Sequence, residues 1–161
     1  ADMEALMEWL PNHIPVAEET VALVHGDYRL DNMIFHPTEP RIIGILDWEL
    51  STPGDPLADL AYQLMAWQFP REGGISGLAG LDRTELGLPS DDDYIAAYCQ
   101  RTGRSGIDDW PFYMAFCFFR IAAILQGIKK RAQIGTASSA EADSRAIMVG
   151  PLAALGAACI P

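Results

Sequence analysis

Short apolar runs separated by polar residues fill the N-terminal part of the chain and predict β-strands. The runs are residues 21–24, 33–35 and 42–46, and each is rich in Val, Ile, Leu, Met or Phe. Pro37 and Pro40 lie between the second and third runs, where proline favours a turn. We therefore expect residues 33–35 and 42–45 to pair as a β-hairpin.

Helical signals dominate the rest of the chain. Helices are predicted over residues 2–10, 57–68 and 91–101, from Asp108 or Asp109 to Gln133, and over 142–158. Residues 112–125 are apolar on all faces of their helix, which places that helix at the centre of the core. The sequence thus predicts a mainly helical α+β protein in which a small β-hairpin carries the polar loops.

Two segments give weaker signals. Residues 69–89 are rich in glycine, and we interpret them either as a mobile surface loop that covers a substrate or as an irregular connector. A loop of ~20 residues is long enough to suggest a function. Residues 136–140 are predicted to form a small polar turn before the last helix.

Composition suits one compact globular domain. The chain has 161 residues, 50% of them hydrophobic, with 11 basic against 22 acidic residues. This acidic balance argues against a nucleic-acid-binding surface. Residues 112–125, the longest apolar run, are too short for a membrane span and contain Arg120, and the start of the chain does not resemble a signal peptide. The pattern gives no prediction of oligomeric state.

The three cysteines predict a cytoplasmic location. Cys99, Cys117 and Cys159 are widely spaced and lie in apolar helical stretches. Such thiols are typical of small buried side chains in a reducing compartment rather than of disulfides.

Three oxygen-bearing side chains lie beside the predicted strands. Asp27 follows the first strand, Asn32 lies where the loop enters the second, and Asp47 follows the third. Mg²⁺ prefers oxygen ligands and usually takes one or two carboxylates besides phosphate oxygens and water. Phosphoryl transfer also needs a carboxylate for the acceptor proton. We therefore interpret Asp27 as the catalytic base, and Asn32 and Asp47 as ligands of a magnesium ion bound with ATP.

Longer motifs surround these residues. They read His-Gly-Asp-Tyr-Arg-Leu-Asp-Asn at 25–32, Leu-Asp-Trp-Glu-Leu-Ser-Thr at 46–52 and Gly-Asp-Pro-Leu-Ala-Asp-Leu-Ala at 54–61. Together they resemble the aminoglycoside phosphotransferase and choline kinase branch of the protein-kinase-like fold. They resemble most closely the kinase domains associated with certain acyl-CoA dehydrogenases. The resemblance implies an ATP- and Mg²⁺-dependent kinase that acts on the hydroxyl of a small molecule such as a hydroxyacyl-CoA.

The resemblance also predicts the extent of the unit. Residues 1–161 correspond to the C-terminal lobe of a protein-kinase-like fold, which carries the catalytic and substrate-binding residues. No glycine-rich nucleotide loop and no strand-borne lysine precede Asp27, so the N-terminal nucleotide-binding lobe is absent from this sequence. We expect this fragment alone to have little or no kinase activity.

Further residues near the motifs are assigned supporting roles. His25 is interpreted either as a general base or, by resemblance, as a residue that supports the loop from behind. By resemblance, Asp59 accepts N–H bonds from the loop backbone. Arg29 is interpreted either as a contact to the transferred phosphate, which suits a guanidinium, or as a surface residue. Asp31 is expected to be solvated or to act as a local cap. Glu49 is a candidate contact to a second metal through water, or to a cationic substrate.

Two other functions remain open from the sequence. An aminoglycoside 3′-type kinase would need acidic residues around its acceptor pocket, whereas the acidic groups at 91–93 and 108–109 are typical of helix starts. A non-catalytic binding module on the same fold would be expected to lack some of the reactive residues, yet all are present. Arg120 is predicted to be buried and paired with a carboxylate, with Asp55 and Asp59 as candidates.

Overall fold

The computed structural model describes residues 2–16, 21–71, 77–134 and 147–161. Within these ranges the helices are α1 (Asp2–Asn12), α2 (Leu57–Trp67), α3 (Asp91–Thr102), α4 (Trp110–Gln133) and α5 (Val149–Ala158). The strands are β1 (Ala22–Val24), β2 (Met33–Phe35), β3 (Ile42–Ile45) and β4 (Thr52–Gly54). The arrangement is α+β and mainly helical, as the sequence predicts.

The strands form two separate antiparallel ladders. The predicted hairpin is present, with Met33 opposite Ile45 and Ile34 opposite Gly44. A second ladder pairs β1 with β4, so that Leu23 lies opposite Pro53. In the sequence, Pro53 and Gly54 predict a loop over residues 51–55, because proline and glycine disfavour strands. This prediction is wrong, and the pairing is tolerated because a short two-stranded ladder has only edge strands.

Helix α4 lies at the centre of the helical core and packs against α1, α2 and α5. Phe118 is 1% exposed and lies with its ring centroid 6.3 Å from that of Phe69. At Gly156 in α5, an added Cβ would lie 3.0 Å from side-chain carbons of both Leu6 and Phe118. Because Gly156 has no side chain, α5 can approach α1 and α4 this closely.

Helix α4 is longer than the apolar run that the sequence analysis considered. Its 24 residues, with a mean hydropathy of 1.5 in the most apolar window, are long and apolar enough to cross a membrane by length and composition. The core helix of a soluble protein meets the same criterion, and α4 packs against α1, α2 and α5. The helix is not buried all round, since Phe116 is 39% exposed.

The observed helix ends differ little from those predicted. Helix α1 continues through Pro11 to Asn12 rather than ending before the proline. Ser90 caps α3 by accepting the N–H of Asp93 at 3.1 Å, and Gly103 ends it with a φ of 73°. The predicted turn at 136–140 and the predicted start of the last helix lie outside the described residues.

Part of the glycine-rich segment folds back on α2. The N–H of Leu78 donates to the carbonyl of Trp67 at 3.2 Å, and that of Ala79 to the carbonyl of Phe69 at 3.1 Å. Arg83 also lies over the Trp67 ring. Residues 77–83 therefore pack against α2, whereas residues 84–89 are exposed and 72–76 lie outside the described residues. That the segment covers a substrate stays a prediction.

The three cysteines are free thiols. Cys99 and Cys117 are buried and Cys159 is half-buried. Burial raises the pKa of the Cys117 thiol to about 12. The cytoplasmic location inferred from these residues stays a prediction.

Candidate active site

His25 lies beneath the loop that carries Asp27. Its side chain is 2% exposed and its two ring nitrogens have different partners. The Nε2 atom is 2.7 Å from the carbonyl oxygen of Leu46, which can only accept, and Nδ1 is 3.2 Å from the backbone N–H of Asp27, which can only donate. A neutral imidazole with its proton on Nε2 satisfies both contacts. His25 thus connects the Asp27 loop to the end of β3, which suits a supporting role.

The carboxylate of Asp59 binds the same loop through its backbone. It accepts the N–H of His25 at 2.6 Å and that of Gly26 at 2.9 Å. Gly26 has a φ of 84°, and a Cβ there would lie 2.7 Å from the carbonyl oxygen of Leu50. The turn therefore requires glycine. The contacts that the resemblance assigns to Asp59 are present, and its position in the first turn of α2 also favours a negative charge.

Asp27 and Asn32 are in direct contact. A single 3₁₀ turn, Leu30–Asn32, carries Asn32 back so that its Nδ2 lies 2.9 Å from the carbonyl oxygen of Asp27 and 3.0 Å from Oδ2 of its carboxylate. Because the amide nitrogen donates to Asp27, the amide oxygen of Asn32 is left as an acceptor. An amide oxygen beside a carboxylate is a suitable ligand set for Mg²⁺.

Asp47 lies at the same end of the β2–β3 hairpin. The N–H of Leu46 donates to the carbonyl of Asn32 at 2.8 Å, so Asp47 directly follows the residue bonded to Asn32. Among the described residues, Asp47 is the only non-glycine residue with a positive φ, 65°. Its side chain is exposed and makes no capping bond to the 3₁₀ turn Trp48–Leu50 that follows it. Such backbone strain often accompanies a functional residue.

The donor set fits a magnesium ion that is held mainly by phosphate. In the ranges that the structure describes, no three His, Cys, Asp or Glu side chains come together as a metal site. One amide oxygen and one or two carboxylates at the hairpin end are what Mg²⁺ uses when phosphates and water complete its shell. Asn32 and Asp47 would hold the ion, with Asp27 beside them.

Arg29, Asp31 and Glu49 lie at the exposed rim of this site. Arg29 forms an ion pair with Asp31, and their side chains are 45% and 73% exposed. Asp31 is thus solvated, as expected, but also has a partner. Glu49 lies within the exposed turn Trp48–Leu50. The functional roles of Arg29 and Glu49 stay predictions.

Arg120 does not have the partner that the sequence suggested. Its Nη2 donates to the carbonyl oxygen of Gly26 at 2.7 Å, and its guanidinium carbon lies 5.4 Å from the centroid of the Tyr62 ring. Asp59 binds the loop backbone and Asp55 caps the start of α2. The expected pair of Arg120 with Asp55 or Asp59 is therefore wrong, because the backbone carbonyl of Gly26 accepts the bond instead.

Tyr62 is a residue of this site that the sequence analysis missed. It is 8% exposed, and the guanidinium of Arg120, which binds the carbonyl oxygen of Gly26, lies over its ring. Burial first, and then the neighbouring Asp27 carboxylate, raise the pKa of Tyr62, so the phenol stays protonated. A signal was present in the sequence: Tyr62 follows Asp59 by three positions, and residues at that spacing share a face of the helix.

An apolar cleft opens beside Tyr62 and Arg29. Its volume is about 380 Å³, and Asp31 contributes its only carboxylate among the described residues. The apolar part of the lining comes mainly from Leu30, Met65, Phe69, Leu78 and Ile121. The cleft is thus suited to an aliphatic group placed close to the loop that carries Asp27.

In this site a loop that requires glycine places a carboxylate against an amide, and the hairpin that follows ends in a second carboxylate. This arrangement is that of a kinase-like phosphotransferase. The family model described as "Phosphotransferase enzyme family" matches residues 1–116, and the chain belongs to this family. The family resemblance seen in the motifs is thereby confirmed.

Known relatives agree with this assignment. The chain is 49% identical over 154 residues to acyl-CoA dehydrogenase family member 10 from Mus musculus, covering 95% of this chain and 14% of the relative. It is 39% identical over 155 residues to acyl-CoA dehydrogenase family member 11 from Homo sapiens, covering 96% of this chain and 20% of that protein.

A solved structure is similar over nearly the whole chain. It is that of a putative aminoglycoside phosphotransferase from Ralstonia eutropha, with a TM-score of 0.91 and 51% identity. The alignment covers 98% of this chain and 48% of the solved chain. The present chain thus spans about half of that relative and a fifth or less of the two acyl-CoA dehydrogenase family members.

Proposed function

We propose that the protein containing this chain transfers the γ-phosphoryl group of ATP, bound with Mg²⁺, to a hydroxyl group of an acyl acceptor such as a hydroxyacyl-CoA. The observation that carries the proposal is the contact between Asp27 and Asn32 at the hairpin end where Asp47 also lies. These are the residue types that phosphoryl transfer requires for a proton acceptor and for metal ligands.

Each residue of the site has a chemical task in this proposal. Asp27 orients the acceptor hydroxyl and takes its proton as the new bond to phosphorus forms. Asn32 and Asp47 hold the magnesium ion, which neutralises phosphate charge when bound. Arg29 approaches the transferred phosphate from the rim, and Asp59 and His25 keep the loop in shape. Catalysis of this kind comes mainly from positioning and from charge stabilisation.

The cleft beside the loop supports an acyl acceptor. Its lining is largely apolar, and Asp31, the carboxylate within it, is already paired with Arg29. A cationic amino sugar would need unpaired acidic groups there, whereas an aliphatic chain gains by burial of its surface. Asp91, at the start of α3, is similarly occupied by Arg83 and Gln68. The aminoglycoside 3′-type kinase is therefore the second candidate.

Turnover by the full-length protein tests the proposal. We expect ATP- and Mg²⁺-dependent phosphorylation in a screen of hydroxyacyl-CoA esters, and none with amino sugars. Asp27→Ala and Asp47→Ala should each lower kcat by at least about a hundredfold, the usual scale for loss of a general base or of a metal ligand. Glu39→Ala is a matched control, since Glu39 is an exposed carboxylate in the turn of the same hairpin.

The outcomes separate the candidates. Phosphorylation of amino sugars alone would favour the second candidate. Nucleotide binding without transfer to any acceptor would favour a non-catalytic module. Unchanged activity of the Asp27→Ala protein would exclude the proposed base. The three free cysteines also lead us to propose a cytoplasmic location. The same screen should therefore be carried out with the cysteines kept reduced.

A further inference from the structure

We propose that Gln63 recognises the acceptor: its side-chain amide donates a hydrogen bond to the thioester carbonyl of the acyl group that the protein phosphorylates. The inference rests on the proposed function and deepens it, because it names the part of the acyl acceptor that the site distinguishes. It assigns a task to a helix residue that the family motifs quoted above do not include.

Gln63 is buried, yet its side chain makes no hydrogen bond with any described residue. It is 6% exposed, and His25 is the other buried polar side chain in the described ranges. Both ring nitrogens of His25 have partners within the protein. In the same ranges, no side-chain nitrogen or oxygen is both shielded from solvent and unbonded. The amide of Gln63 must therefore be reached through a cavity, and a buried amide left free for a ligand is typical of a recognition site.

Two cavities meet at Gln63. One is the apolar cleft of about 380 Å³ already described. The other, of about 320 Å³, lies between α2 and α3, and Gln63 is the one described residue that lines both. The polar lining of the second cavity includes Tyr28, Tyr94, Tyr98 and Arg101. An acceptor with an apolar tail and a polar remainder can therefore occupy both cavities, with its carbonyl beside the amide.

Gln63 is also close to the loop that carries Asp27. Asp59, four positions earlier on α2, accepts the N–H groups of His25 and Gly26. Side chains four positions apart lie on one helix face, roughly 5–6 Å from each other. Because Asp27 directly follows Gly26, one acceptor molecule can place its hydroxyl at Asp27 and its carbonyl at the amide.

The chemistry of the amide favours a neutral partner. It offers two N–H donors and one acceptor oxygen, and it carries no charge. A phosphate or carboxylate would be held better by a cation, and an amino sugar by a carboxylate. The charged pair in the apolar cleft, Arg29 with Asp31, is already formed within the protein. A thioester carbonyl needs a donor when it leaves water for an apolar lining, and Gln63 supplies one there.

The test removes the carbonyl from the acceptor and the amide from the protein in turn. The full-length protein receives ATP, Mg²⁺ and either a hydroxyacyl-CoA thioester or the matching hydroxyalkyl-CoA thioether, in which CH₂ replaces the carbonyl. We expect the wild type to prefer the thioester at least about tenfold in kcat/KM, because the thioether leaves the buried amide without a partner. Gln63→Met has a similar length and no hydrogen-bond donor, so its preference should fall below about threefold.

Gln68→Met is the matched control. Gln68 is the residue directly after α2, its amide donates to Asp91 at 2.6 Å, and it lines neither cavity. The same chemical change at this position should leave the preference for the thioester at its wild-type value. A merely structural role of Gln63 would lower the rates with both acceptors and leave their ratio unchanged.

The results separate this inference from the proposed function. If Gln63→Met keeps the wild-type preference, or if the wild type phosphorylates thioester and thioether equally well, the inference is overturned while phosphoryl transfer still stands. The comparison within the wild type needs no variant, and Gln63→Leu replaces Gln63→Met if the latter does not fold. If the wild type phosphorylates neither acceptor, the proposed function fails and this inference fails with it.

Discussion

The helical core and the loop that carries Asp27 are held in place by different interactions. In the core, Phe118 and Leu64 are almost fully buried, and burial of apolar surface provides the stability. In the hairpin, Phe35 and Ile43 are about half exposed, so little apolar burial fixes the loops at its end. Individual hydrogen bonds from α2 and α4 hold the Asp27 loop instead.

Because the core and the loop are held by different interactions, stability and activity should depend on different residues. Apolar contacts are numerous and interchangeable, so the core can lose one and keep its shape at a cost in stability. The loop depends on a few directional bonds to Asp59 and Arg120, and each of them acts on one backbone group. Substitutions in the two regions should therefore affect different measured quantities.

The largest effect on stability is expected from Phe118→Ala. Removing a fully buried aromatic ring leaves a cavity against Phe69, and the free energy of unfolding should fall by about 3–5 kcal/mol. Phe116→Ala on the same helix is the control, since Phe116 is partly exposed and should cost less than about 1.5 kcal/mol. Urea denaturation followed by tryptophan fluorescence measures both. Equal losses for the two variants would break the proposed contrast between the faces of α4.

A mixed effect is expected from Asp59→Ala. Two backbone N–H groups of the loop lose a charged acceptor, so the free energy of unfolding should fall by about 2–3 kcal/mol. Transfer by the full-length protein should fall by at least about tenfold at temperatures where the variant is folded, because Asp27 is displaced. Asp92→Ala, which removes an exposed carboxylate in the first turn of α3, should change neither quantity appreciably. A folded Asp59→Ala protein with full activity would contradict the proposed support of the loop.

The smallest effect is expected from Asp31→Ala. This substitution breaks an ion pair whose members are both largely in water, so the free energy of unfolding should change by less than about 0.5 kcal/mol. Arg29 keeps its charge and becomes free to approach a phosphate. Thermal denaturation at low and high salt measures the effect. A loss of more than about 1 kcal/mol would mean that the exposed Arg29–Asp31 pair stabilises the protein as much as the buried hydrogen bonds beneath the Asp27 loop.

The sequence predicted those parts of the structure that depend on local patterns. The hairpin follows from two short apolar runs separated by Pro37 and Pro40, and the start of α3 follows from the capping residue Ser90. The contact from Asp59 to the loop was expected from the family resemblance rather than from any local pattern. All of these concern neighbours in sequence or motifs of fixed spacing.

The missed features depend on pairs that are distant in sequence. Strand β4 forms because Thr52 lies opposite Val24, and the local sequence Thr-Pro-Gly does not indicate that β1 is its partner. Arg120 binds a backbone carbonyl, and every residue has one, so its partner could not be identified by residue type. Tyr62 could have been suspected from its spacing to Asp59, but its contact with Arg120 depends on how α2 packs against α4.

The β1–β4 ladder turns residues 22–54 into a closed ring, because it joins the strand before Asp27 to the strand after Asp47. Neither reactive loop can then swing away alone while the ladder is intact. Backbone amides on both sides of the ring should consequently exchange with deuterium together, as one cooperative opening event, and not one loop after the other.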